Sequence, residues 1–207
     1  MTDPMIEPIA RIRIELEGTQ PLVWRELDVP LSTTLATLHD LIQVVMRWRD
    51  SHLHEFEVGE KIYGVPDPED AFDDRKVYQA KSIRLGTLID RGVREFLYLY
   101  DFGDNWRHRI MVLEVRQGDP GNEYPRFVAA TRRAPPEDVG GISGFAEFLE
   151  TMSDPEHDEH DRMVEWYGKR FDPEDIDEHW IRMIIDDFAA RRRGPLKIHR
   201  TGKRPWH

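Results

Sequence analysis

There is no cysteine in these 207 residues, which excludes disulfides, thiolate metal sites and cysteine nucleophiles together. Nowhere is there an apolar run long enough to span a bilayer, and Met1-Thr-Asp-Pro-Met5 has no basic region followed by an apolar one. A soluble, cytoplasmic protein without membrane contact is therefore expected. Also missing are a phosphate-binding glycine loop, a dinucleotide fingerprint, a Gly-x-Ser-x-Gly elbow and a zinc-protease motif. Bases are scarce, 29 against 40 acids, for a net charge of −11. Seven of those bases follow Ala190 with no acid among them, leaving 22 bases against 40 acids in the body. An acidic body repels phosphate backbones, so any nucleic-acid contact is expected only through residues 191–207, read as a flexible basic tail. Residues 1–190 are read as one domain, long enough to bury a core.

Positions 9–17 alternate with period two, Ala10, Ile12, Ile14 and Leu16 on one face and Arg11, Arg13, Glu15 and Glu17 on the other, the pattern of a half-buried strand. Gly18 to Pro21 turns the chain and Val23–Val29 returns it. Ser32-Thr-Thr34 supplies hydroxyls to cap a helix carrying Leu35, Leu38, Leu41, Ile42, Val45 and Met46 on one stripe, with Asp40 and Gln43 outside and His39 at its margin. Residues 52–58 alternate again, placing His52, His54, Phe56 and Val58 together. Residues 66–74 form an acidic loop, and 85–92 a short helix with a glycine stop. Glu95–Tyr100 and Arg107–Val115 pair across Asp101-Phe-Gly-Asp104, and 126–131 is a further strand. Two prolines and two glycines make 133–141 a fixed loop, followed by helices at 143–152, 156–168 and 172–190, the last two opened by Asp-Pro. Strands with one inserted helix, then helices, define a single α+β domain: a mixed, mainly antiparallel sheet with C-terminal helices packed on it.

The chemistry-bearing residues concentrate in Tyr98–His108 and Ser51–Phe56. His52 and His54, two residues apart on a strand, place imidazoles on one face about 6.5–7 Å apart. With His108 or Asp101 from a neighbouring strand they form an inventory of nitrogen and oxygen ligands that could hold a divalent metal, with His52, His54 and His108 as its candidates, although a bound metal is not the favoured reading. The same histidines could instead hydrogen-bond carboxylates in a structural network. Asp101 and Asp104 flank Gly103 and either cap the turn or, in the case of Asp101 with His108, form an acid–base pair. Trp106 reads as a core or rim aromatic rather than a stacking platform. The run His157-Asp-Glu-His160-Asp161 reads as a solvated helix face.

Leu38-His-Asp40, Trp48 with Asp50–Phe56, Tyr100–His108, Tyr124-Pro-Arg126 and Pro135-Pro-Glu-Asp-Val-Gly-Gly141 together resemble the plasmid pRiA4b ORF-3-like family, in order, from about residue 8 to 185. The resemblance implies one α+β domain and adds Glu137 and Asp138 to the candidate residues. It implies no activity, since members of the family are mostly uncharacterised and occur on plasmids and near mobile elements. Some carry a resolvase-like label, but neither a nucleophilic serine in an arginine-rich site nor a helix-turn-helix can be placed here. Many members have cysteine before the Pro-Pro pair; this chain has Ala134, which removes any thiol role. Three functions remain in view. The first is a binding or interaction module, for a protein or a second copy, built on His39, His52, His54, Asp101, Asp104, Trp106, His108, Glu137 and Asp138. The others are a metal-assisted or acid–base enzyme using His52, His54, Asp101 and His108, and a DNA-associated accessory factor acting through the tail. The first two require that His54 and His108 share one face of the sheet.

Overall fold

The computed structural model describes residues 7–66 and 76–193. In chain order the elements are β1 (Pro8–Leu16), β2 (Val23–Pro30), α1 (Leu35–Met46), β3 (His54–Val58), β4 (Lys61–Gly64), β5 (Val77–Gln79), α2 (Leu85–Asp90), β6 (Glu95–Tyr100), β7 (Trp106–Gln117), β8 (Arg126–Thr131), α3 (Gly141–Ser153), α4 (His160–Tyr167) and α5 (Glu178–Arg193). Eight strands form one sheet in the order β5-β4-β3-β6-β7-β1-β2-β8. Every pairing is antiparallel except β4 with β5, which makes the sheet mixed. This is the expected α+β domain. The acidic loop expected at 66–74 falls almost wholly outside the described residues, as do residues 194–207 of the basic tail.

Alternation decides the two faces. Ala10, Ile12, Ile14, Leu16, Leu27 and Ile110 are fully buried on one side, where α1 packs. Burial of that much aliphatic surface, at about 25 cal/mol per Å², is the dominant favourable contribution to the fold. On the opposite side the intervening residues form a lattice of ion pairs: Arg11 and Arg116 hold Asp28 at 2.8 and 3.0 Å, and Arg13 and Arg109 both reach Glu15 at 2.9 Å. Thr34 caps α1, its hydroxyl accepting from the Thr37 amide. Among the described residues, no helix is long and apolar enough to cross a membrane.

The C-terminal helices depart from expectation at their starts. Helix α4 begins at His160 rather than 156, and α5 at Glu178 rather than 172. In both places the aspartate before proline closes a side-chain turn instead: Asp154 accepts from the Glu156 amide and Asp172 from the Glu174 amide. A carboxylate that satisfies nearby amides in a turn competes with helix initiation. Helix α5 packs on β8 and α1, and Arg182 bonds the Phe127 carbonyl. Helices α3 and α4 pack on each other, with Phe148 lying 5.6 Å from Tyr167 and 4.9 Å from Phe171, ring centre to ring centre.

Candidate functional site

Cross-strand register brings the motif side chains together. His54 pairs with Tyr100, Tyr100 with Trp106, and Tyr98 with His108. Residues directly opposite in an antiparallel ladder share a face, so His54, Tyr98, Tyr100, Trp106 and His108 all project toward α1. The Tyr98 ring lies between the two histidines, 6.0 Å from His54 and 5.3 Å from His108. From there the residues sort into three groups with different chemistry.

His108 is core. It is fully buried, its Nδ1 lies 3.0 Å from the Trp106 carbonyl, and its Nε2 meets no partner. Burial, with the nearby Arg25 charge adding to it, pulls its pKa down to about 3. The expected Asp101–His108 acid–base pair is not formed: Asp101 turns to His52 instead. Trp106 is likewise fully buried, against Trp48.

A second group is a closed relay. Gln43, expected on the outside of α1, is buried. It lies one helical turn beyond His39, so both reach the same tyrosine. Its Nε2 donates to the Tyr98 hydroxyl at 3.1 Å, and its Oε1 accepts the Asp50 amide at 2.9 Å. The Tyr98 proton then goes to His39 Nδ1 at 2.7 Å, which leaves Nε2–H to donate to Asp50 at 2.9 Å. His54 stacks on His39 at 3.4 Å with rings 8° from parallel. His54 is held neutral, its pKa drawn down to about 3 by burial and then by the neighbouring imidazole. His39, Asp50 and His54 have a metal-ligand inventory and lie close enough together. Yet stacked rings aim their nitrogens side by side rather than at one point, and both nitrogens of His39 are engaged. Gln43, Tyr98, His39 and Asp50 form a hydrogen-bonded network that fixes α1 on the sheet, and His54 joins it by stacking.

The third group is open. Asp101 folds its Oδ1 back to accept the Gly103 and Asp104 amides, at 2.9 and 3.3 Å, which leaves Oδ2 facing His52. His52 Nε2 stands 3.4 Å from Asp101 Oδ2 and 3.1 Å from Asp138 Oδ1. That nitrogen is shielded from solvent but makes no hydrogen bond, because neither oxygen lies along its bonding direction. Expected as a pair, His52 and His54 therefore belong to different groups: His52 precedes β3, and its side chain is held by loops.

Those loops are fixed by specific contacts. Trp48 Nε1 donates to the Pro135 carbonyl at 2.9 Å. The Tyr100 hydroxyl accepts from the Ser51 amide and donates to Glu137 at 2.6 Å, and burial raises its pKa. Asp104 accepts the Gly140 amide at 3.1 Å. Gly141 lies so close that a Cβ there would be 2.6 Å from the Asp104 carbonyl, at a φ of +68°. The Asp101–Asp104 turn and the Val139-Gly-Gly141 segment thus fit only each other. Asp50, Asp101, Asn105 and Asp138 all adopt positive φ, a conformation that Asp and Asn tolerate better than most residues. His157 and His160, by contrast, serve local structure: His157 Nδ1 accepts from the Glu159 amide in a turn, and His160 Nδ1, 2.9 Å from the Thr151 carbonyl, ties α4 to α3.

Four residues that matter here were not among the candidates read from the sequence: Arg25, Gln43, Asp50 and Tyr98. Arg25 did leave a signal, standing in the inward register of Val23, Leu27 and Val29.

The fold and the site define an α+β sheet protein whose buried histidine–tyrosine core supports an open histidine–carboxylate cluster between three loops. The chain matches the plasmid pRiA4b ORF-3-like protein family over residues 8–179 and belongs to it. It is 36% identical to the uncharacterized protein y4hQ of Sinorhizobium fredii over 188 residues, 90% of this chain and 95% of that one. The crystal structure of a protein of unknown function from Methanosarcina mazei Go1 is similar at a TM-score of 0.75 and 35% identity, over 84% of this chain and 97% of that one.

Proposed function

We propose that this is a cytoplasmic binding module whose working site is His52, Asp101 and Asp138, and that the site takes a divalent cation. One observation carries the reading: a shielded, unbonded imidazole nitrogen 3.1 and 3.4 Å from two carboxylate oxygens. Ligands about 2.1 Å from a zinc-like ion are themselves about 3.0–3.4 Å apart in octahedral or tetrahedral geometry, so a cation fits where a hydrogen bond does not. Asp101 is preset by its turn amides and so supplies one oriented ligand. Asp138, 70% exposed along its side chain, leaves outer positions for water or a ligand. One nitrogen with two oxygens suits zinc, manganese or iron(II). The DNA-accessory alternative has less support, since Arg192 is spent on Glu7 and the Tyr124 carbonyl.

Calorimetric titration of chelator-stripped full chain with manganese and zinc tests the proposal. Saturable one-site binding is expected, with stabilisation of about 2.7 kcal/mol at a hundredfold excess over Kd. His52→Ala with Asp138→Asn should abolish binding, whereas His54→Ala should leave it. Absence of any heat or thermal shift at millimolar metal would refute the site.

A further inference from the structure

A cleft of about 450 Å³ opens beside Asp138, between the end of α1, the 133–138 loop and the end of α4. On a chain of net charge −11 it is lined by Arg25, Arg47, Arg49, Arg133 and Lys169 against only Glu137 and Asp138. Some of this charge is already balanced. Arg47 pairs with Asp177 at 3.0 Å, Arg133 with Asp175 at 2.5 Å, and Glu137 takes the Tyr100 hydroxyl. Arg25, Arg49 and Lys169 have no carboxylate in ion-pair contact among the described residues, although Lys169 stands near enough to Asp175 to help lower its pKa.

Arg25 is the unusual one. It is 1% exposed and sits in the inward register of β2. Its Nε donates to the Val45 carbonyl at 2.8 Å, and one terminal nitrogen donates to the Trp24 and Thr131 carbonyls at 2.8 and 2.9 Å. These carbonyls fix the plane of the guanidinium. The second terminal nitrogen has no partner among the described residues, and the side chain forms part of the cleft wall. Desolvation pulls its pKa down to about 10, with no carboxylate acting against it. A buried cation without a counter-ion is costly; a guanidinium held in plane with one charged terminal nitrogen left to donate is suited to an oxyanion.

We propose that this cleft binds the phosphate group of a small organic phosphate, with Arg25 as its fixed contact and Arg49 and Lys169 closing over it. The five cations exceed Glu137, Asp138, Asp175 and Asp177 by one, and the three terminal oxygens of a phosphate can meet Arg25, Arg49 and Lys169 together, which the two of a carboxylate cannot. The volume exceeds one phosphate and falls in the range of small-ligand pockets. Half-exposed Trp166, with Tyr167 and Pro136, gives the organic part a flat apolar wall.

The proposal goes beyond the cation site and does not require it, so its test is run on the full chain in the presence of a chelator. Phenyl phosphate and inorganic phosphate are titrated at low ionic strength, followed by calorimetry and tryptophan fluorescence, with phenol and benzoate as controls. Phenyl phosphate should bind saturably, inorganic phosphate should displace it, and added salt should weaken it. Arg25→Met should lower the affinity roughly tenfold or more. In case that variant is unstable, Arg49→Ala with Lys169→Ala alters only exposed side chains, and should weaken binding several-fold without moving Tm. The proposal is overturned if neither phosphate binds, if phenol or benzoate binds as well as phenyl phosphate, or if the double variant binds unchanged.

Discussion

His108 gives the sharpest test of how this core is built. It is fully buried, and its pKa is pulled from 6.5 to about 3 by burial first and by Arg25 as well. Between about pH 3 and 6.5 the ring is therefore neutral in the folded chain while the unfolded chain takes up a proton. Stability rises with pH wherever the unfolded state binds more protons. The histidine's share is thus complete above about pH 6.5 and is lost progressively as pH falls toward about 3. At pH 4.5 that loss is about 3 kcal/mol, two pH units at a little over 1 kcal/mol each. Glutamine at position 108 cannot titrate and can still donate to the Trp106 carbonyl. His108→Gln should cost something at pH 7, yet its stability should fall by about 3 kcal/mol less than wild type between pH 7 and 4.5. Urea denaturation of both proteins at the two pH values measures this directly. His54, also held near 3, titrates in the same window and remains in both proteins, so it drops out of the difference. Equal acid slopes would mean that the imidazole is not sealed in a dry core, and the reasoning would fail.

Two further predictions follow from the contacts around the site. Gly141→Ala combines a left-handed φ of +68° with a Cβ 2.6 Å from the Asp104 carbonyl. It should destabilise by about 2–4 kcal/mol and lower Tm by about 4–15 °C in a thermal scan; a change within about 0.5 kcal/mol would show that the two loops do not depend on each other. Tyr98→Phe strands His39 Nδ1 and Gln43 Nε2 in a buried setting, so urea denaturation should show a loss of about 2–4 kcal/mol. Metal titration of that variant should match wild type, because the relay and the His52 cluster are separate.

The strands were legible because their signal is local. Period-two alternation in 9–17 and 54–58 states which residues face the core, and the Asp-Phe-Gly-Asp turn states which strands pair. The helix starts at 160 and 178 were not, since Asp-Pro initiates a turn as readily as a helix and only the surrounding packing chooses between them. Gln43 was misassigned to the outside of α1 for a related reason. A polar residue is placed inward only when a buried partner awaits it, and Tyr98 is 55 positions away.

The sequence by itself determined the strands and the core face of each, because side-chain direction in a strand is set by parity; that His54 and His108 share a face depended also on the register of β3, β6 and β7. Which imidazole meets which carboxylate was decided only by tertiary structure. His52 lies just outside β3, so its direction is set by loops that converge from residues 50, 101 and 138. Arg25 shows the same division. Its inward position is readable from the alternation of β2, but its lack of a counter-ion among the described residues depends on where the fold places their carboxylates.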